Sequence, residues 1–316
     1  MEAINLQSSH SKNTSTKFFS NKKKSIADVV VDTLVQAGVS KVFGIPGGAT
    51  IPFHVSLEKH EDIDFVLAKH EGGAAFMADC YSRLSGNLSV CCSTTGPGAT
   101  NLMTGVASAY MDSIPMLVVT GMNPIDTWGR GDFQESTPYT GIDTTDMFKS
   151  ICKHSEIIVS EKILQFRLRC AIAKALSGRP GPVHIAIPRD LWTKEVTPEY
   201  WYPHSYLSQP PSASEQDVLH TADFLRLSSR PLVLFGSGAS SNAVSQLMEI
   251  CEYLSIPIAS TPRAKGKDLT FLSKTYIGSV GIAATASADN LLANNKFDVI
   301  LTVGSGFGSY ATNSWN

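Results

Sequence analysis

The chain has 316 residues, room for two domains at roughly 150 residues each. Apolar residues make up 43% and charged residues 17%, a balance that excludes a largely disordered chain. The net charge is −2, from 26 Lys and Arg against 28 Asp and Glu, which argues against a nucleic-acid-binding surface, and no apolar run is long enough for a transmembrane span.

Residues 1–24 are polar and end in Lys22-Lys23-Lys24, with no apolar core of a secretory signal. They read as a solvated tail, although their Ser and Lys content leaves organellar targeting open. Ser25, with Asp28 three residues on, predicts a capped helix that Gly38 ends. A strand is predicted at 41–43, followed by the turn Gly44–Gly48. The same rhythm continues with a strand at 65–67, a helix at 71–84, a strand at 88–93, the turn Gly96-Pro97-Gly98 and a helix to about 109. Strands at 116–120, 157–159 and 183–187, with a helix at 164–176, complete the first half. Apolar strands alternating with helices predict an α/β fold whose parallel sheet of about six strands is covered on both faces. Residues 196–214, with four prolines, read as a linker. Residues 215–316 predict helices at 218–227 and 244–254 and strands at 232–235, 256–259 and 297–303. At most about three strands would make a small, uncovered sheet, so this second α/β domain is expected to be incomplete.

Cysteines 80, 91, 92, 152, 170 and 251 form no CxxC pair and predict reduced, mostly buried thiols of a cytoplasmic protein, without structural zinc. Histidines 54, 60, 184, 204 and 220 read as structural, with His184 inside a buried strand. Gly236-Ser237-Gly238 lacks a third glycine at 241 and reads as a tight turn rather than a dinucleotide fingerprint.

Three strand-to-helix turns carry the chemistry. Glu71 follows a strand and opens a helix, with Gly72-Gly73-Ala74-Ala75 behind it. A carboxylate there can face a ligand crevice, and the small residues let a flat group approach. On spacing alone the plainer account, a carboxylate favouring the helix dipole, stands ahead. Gly96–Asn101 and Pro46–Ala49 are similar turns, and all three would line one edge of the sheet.

Taken together, VFGIPGGA (42–49), KHEGGAAFMAD (69–79), TGPGATN (95–101), AYMDSIPML (109–117), DFQE (132–135), KHS (153–155) and GRPGPVHIAIPRD (178–190) resemble the pyrimidine-binding domain of thiamine-diphosphate enzymes, most of all acetolactate synthase large subunits. Residues 215–316 resemble the start of that family's central domain more loosely. The resemblance implies decarboxylation of a 2-oxo acid such as pyruvate and carboligation to a second one, a step toward branched-chain amino acids. It assigns Glu71 the hydrogen bond to N1′ of the cofactor's aminopyrimidine. It places Pro46, Gly48, Pro97 and Asn101 along the pyrimidine. Gly48, Phe133, Gln134 and Lys153 would face the substrate, with Gln134 donating to its oxygens.

The departures carry expectations too. Lys149 and the segment Gly306–Tyr310 stand where flavin-binding members carry arginines, which counts against FAD. No Gly-Asp-Gly occurs, so the diphosphate and Mg²⁺ are expected to be held by a domain absent here, on another polypeptide; the partners expected are a homo-oligomer or a chain that carries this diphosphate-binding domain. The chain is therefore expected to be inactive alone, and a non-catalytic ligand-binding or dimerising module is the competing reading.

Overall fold

The computed structural model describes residues 22–201, 212–294 and 297–315. Most of the polar tail, the middle of the expected linker and His204 therefore lie outside the described residues. The chain divides into two units, 1–210 and 211–316.

In the first unit, Ser25 caps α1 (Ile26–Gln36) through the bond from Asp28 N to its Oγ, 3.1 Å, as the sequence predicts. The chain then alternates β2 (Lys41–Gly44), α2 (Ile51–Lys59), β3 (Asp64–Leu67), α3 (Glu71–Ser85) and β4 (Ser89–Ser93). Next come α4 (Pro97–Asn101), α5 (Met103–Asp112), β5 (Met116–Met122), α6 (Thr144–Lys149), β6 (His154–Ile157), α7 (Glu161–Leu176) and β7 (Pro182–Pro188). Six parallel strands form one sheet in the order β3-β2-β4-β5-β7-β6. Alternate residues of the apolar strands feed two cores. Val90, Leu117 and Val119 pack with α1, α2 and α7, while Cys91, Met116 and Val118 pack with α3, α5 and α6. Burying both faces is what these strands need, because they carry no polar side to show to water.

A short strand β1 (Lys24–Ser25) pairs antiparallel with β8 (Glu195–Val196). Beyond β8 the chain stays on this unit. The carboxamide of Gln165 on α7 donates to Thr197 O at 3.1 Å and accepts from Glu199 N at 2.7 Å, and Trp201 is 1% exposed. The packed body thus runs past residue 195 into the segment expected to be linker.

His184 on β7 is fully buried. Ser155 Oγ donates to Thr145 O at 2.6 Å, so it accepts from His184 Nδ1 at 2.8 Å, which leaves Nε2 to accept from Thr120 Oγ1 at 2.8 Å. The ring also stacks on Phe148, with centroids 4.2 Å apart. Burial holds its pKa down at about 3, against an ordinary 6.5. The unfolded chain therefore binds a proton that the folded one refuses between those values, and stability is lost as pH falls through that window. A His184→Phe variant is expected to lose up to about 1.4 kcal/mol per pH unit of that slope. Denaturant unfolding across the window checks this, and an unchanged slope would point to other groups.

The second unit holds a parallel sheet of β9 (Pro231–Phe235), β10 (Ile258–Ser260), β11 (Tyr276–Ser279) and β12 (Val299–Val303), in the order β11-β10-β9-β12. Helices Glu215–Leu227, Ser241–Leu254 and Ala286–Ala293 accompany it. Four strands replace the three expected. β11 escaped the sequence reading because Gly278, at φ +112°, interrupts a run of only four residues. Gly236-Ser237-Gly238 is a tight turn, closed by Ala239 N to Gly236 O at 3.1 Å.

Candidate functional site

All six strands of the first sheet point the same way, so the segments after them share one edge. From β2 the chain moves to β3 on one side and then to β4 on the other. The crevice between the ends of β2 and β4 is thus the switch point at which α/β sheets bind ligands. The turns after those strands meet there. A Cβ built on Gly47 would stand 2.4 Å from Thr94 Cβ, so only glycine lets the two turns close.

Glu71 opens α3 beside this crevice. His70 Nδ1 caps the helix by accepting from Gly72 N at 3.0 Å, which leaves the Glu71 carboxylate for other partners. Glu71 Oε2 accepts from Asn101 Nδ2 at 3.0 Å. Oε1 faces the third turn, since a Cβ on Gly98 would lie 3.4 Å from it. Among the described residues Asn101 is the one hydrogen-bond donor to this carboxylate, so Oε1 keeps its capacity for a ligand proton. Glu71 is half-buried.

The same turn meets Gln134 on its other flank. A Cβ on Gly96, which has φ +57°, would approach Gln134 O to 2.9 Å, and Thr95 Oγ1 donates to that oxygen at 3.3 Å. Gln134 itself has φ +54°, a left-handed conformation that costs a non-glycine residue of order 1 kcal/mol and needs support from its surroundings. Phe133 beside it is 81% exposed. The structure therefore brings Glu71, Pro97, Asn101, Phe133 and Gln134 around one turn, with Pro46 and Gly48 on the turn that packs against it.

Lys153 is not brought here. It precedes β6, so it sits at the opposite edge of the parallel sheet, where Nζ donates to Ser177 O, at the C-cap of α7, at 2.7 Å and to Lys174 O in the last turn of that helix. The cation on the Gly48 side is Arg189, which follows β7 and was not singled out from sequence. With Gly48, Ile51, Pro124 and Asp190 it lines a cleft of about 360 Å³. Its position just after a strand, in IPRD, was the available signal.

Two further residues hold the site's loop and were also missed. Asn123 Nδ2 donates to Phe133 O at 3.1 Å, and its Oδ1 accepts from Ser136 N at 3.3 Å. Glu135 is held down at about 2 by hydrogen bonds, from the Thr140 hydroxyl first and then the Gly129 amide. The described residues contain no group of three or more His, Cys, Asp or Glu side chains that could hold a metal ion. None of their helices is long and apolar enough to cross a membrane.

Residues 24–143 match the family model of the thiamine pyrophosphate enzyme N-terminal TPP-binding domain, and residues 218–316 match the model of its central domain. The chain is 36% identical over 296 residues to a probable acetolactate synthase large subunit of Methanocaldococcus jannaschii, covering 90% of this chain and 48% of that protein. It is 35% identical over 287 residues to acetolactate synthase 2, chloroplastic, of Nicotiana tabacum, covering 88% and 42%. With the acetolactate synthase large subunit of Haemophilus influenzae the identity is 32% over 302 residues, covering 93% and 50%. The chain thus spans about half the length of the curated relatives it matches.

Proposed function

Because the chain belongs to the thiamine pyrophosphate enzyme family, we propose that it serves thiamine-diphosphate-dependent decarboxylation of a 2-oxo acid such as pyruvate and carboligation to a second one, in the manner of acetolactate synthases. The observation that carries this reading is the Glu71–Asn101 pair at the switch-point crevice, with one carboxylate oxygen held and the other turned to the Gly98 turn. When bound, the cofactor supplies a carbon nucleophile and an electron sink that allows carbon dioxide to leave.

The chain's own residues bind and orient the pyrimidine end. Glu71 Oε1 shares a proton with ring atom N1′, and Asn101 fixes the carboxylate so that this oxygen points outward. Pro46, Gly48 and Pro97 flank the ring, and the absent Cβ of Gly98 leaves room for it beside the carboxylate. Gln134 donates to substrate oxygens, with Phe133 lining the same cavity. The diphosphate and its Mg²⁺ are held by residues outside this set, on polypeptide that carries the Gly-Asp-Gly motif these residues lack, so the site is shared. FAD has no part in this reading, since Lys149 pairs with Asp146 at 3.0 Å on the surface and offers no arginine fork for a phosphate. Six free cysteines support a reducing compartment such as the cytoplasm.

Carbon dioxide release from pyruvate, with thiamine diphosphate and Mg²⁺, tests the proposal. No release is expected from the chain alone, and release is expected when a polypeptide carrying a Gly-Asp-Gly diphosphate motif is added. Turnover by the chain alone would defeat the shared site, and silence in the assembled pair would defeat the function.

A further inference from the structure

The loop between β5 and α6 contains one acidic side chain whose placement the reaction chemistry does not explain. Glu135 is 8% exposed and points back into its own loop. Its Oε1 accepts from Gly129 N at 2.7 Å and from Thr137 Oγ1 at 3.0 Å. Its Oε2 accepts from Gly131 N at 2.8 Å and from Asp132 N at 3.2 Å. Three backbone N–H groups and the hydroxyls of Thr137 and Thr140 thus converge on one carboxylate and use both its oxygens. Gly129 and Gly131 have φ +76° and +73°, the left-handed geometry that turns successive N–H groups toward one anion. The carbonyl of Glu135 also accepts from Ile142 N at 3.4 Å, which closes the far end of the loop.

Phe133 and Gln134 lie between these tethers. Gln134 follows the Gly131–Asp132 segment that Glu135 gathers and precedes Glu135 itself, and its left-handed backbone meets the Gly96 turn. With no helix or strand from 128 to 143, the carboxylate stands in for the missing ladder of backbone bonds. We propose that Glu135 is a positioning residue: an internal anion that folds the 129–137 loop around itself and thereby presents Phe133 and Gln134 to the crevice holding Glu71. This rests on the proposed placement of those two residues beside the substrate, but its test needs neither substrate nor cofactor, so the two can fail separately.

Amide hydrogen exchange of the full chain, resolved by residue, reads the role directly. In Glu135→Gln the carboxamide must turn its NH₂ toward one donor pair. Exchange at Gly129, or at Gly131 and Asp132, should then rise by about tenfold or more, as expected for a donor left without an acceptor. Amides of β4 and β5 should keep wild-type protection. Glu135→Ala should free all three amides, and acetate at about 0.1 M should slow them again while sodium chloride at the same ionic strength does not. A side chain that merely fills space would gain nothing from acetate. Wild-type exchange in both variants, or a uniform rise through β4 and β5 in Glu135→Gln, overturns the proposal, as does failure of acetate to restore the Glu135→Ala loop.

Discussion

Glu71→Gln is expected to slow hydrogen–deuterium exchange at C2 of thiamine diphosphate, in the enzyme that contains this chain, by at least about 10²-fold, the usual worth of a positioned acid–base group. The hydrogen bond from Asn101 Nδ2 decides how the new side chain sits. The donor at Asn101 selects the Gln carbonyl oxygen as its acceptor, so the Gln NH₂ is turned to the side where Glu71 Oε1 faces Gly98. A carboxamide nitrogen there can neither accept nor release a proton in exchange with a ring nitrogen. The substitution keeps size and shape, so it removes proton sharing and little else. Exchange at the wild-type rate in this variant would refute the role of Glu71.

Trp192→Ala is expected to cost the first unit about 3–5 kcal/mol, in the range for large aromatic deletions from packed cores. Trp192 is fully buried and stacks on Phe53 of α2 with ring centroids 5.3 Å apart. Its carbonyl also accepts from Ala27 N at 3.1 Å, and that contact survives the substitution. The loss is therefore side-chain packing between α1, α2 and the sheet. The indole Nε1 has no hydrogen-bond partner among the described residues, so no polar bond is lost to add to the cost. Because α2 follows the Gly47–Thr50 turn, the damage extends to one wall of the crevice. Denaturant unfolding followed by exchange of β5 amides gives the number, and a cost under about 1 kcal/mol would mean that the cavity collapses freely.

What was legible in the sequence follows from where each signal resides. The first sheet could be read because its strands are continuous apolar runs and α1 carries its own cap and stop at Ser25 and Gly38. α2 was missed because its N-cap, Thr50, makes no side-chain capping bond and its apolar residues Ile51, Phe53, Val55 and Leu57 recur every second position, the period of a strand and not of a helix. β6 was expected at 157–159 but lies at His154–Ile157, where four half-buried residues on an edge strand have no apolar run to mark them. Lys153 precedes this strand in either position, and the residue before a strand lies at the edge of a parallel sheet opposite the strand-to-helix turns, so its place beside the substrate rested on the resemblance and not on the topology. Glu71, Asn101 and the glycine turns were legible from motif and topology together. Asn123 and Glu135 were not, because their work is hydrogen bonding to the backbone of an irregular loop, which has no periodicity to betray it.

The ¹⁵N resonance of N1′ in thiamine diphosphate labelled at that atom, bound to the enzyme containing this chain, tests the central assignment most directly. A shift toward the protonated position is expected with Glu71 present, and a return toward the free-cofactor position in Glu71→Gln. An N1′ resonance that is the same in both proteins would contradict it.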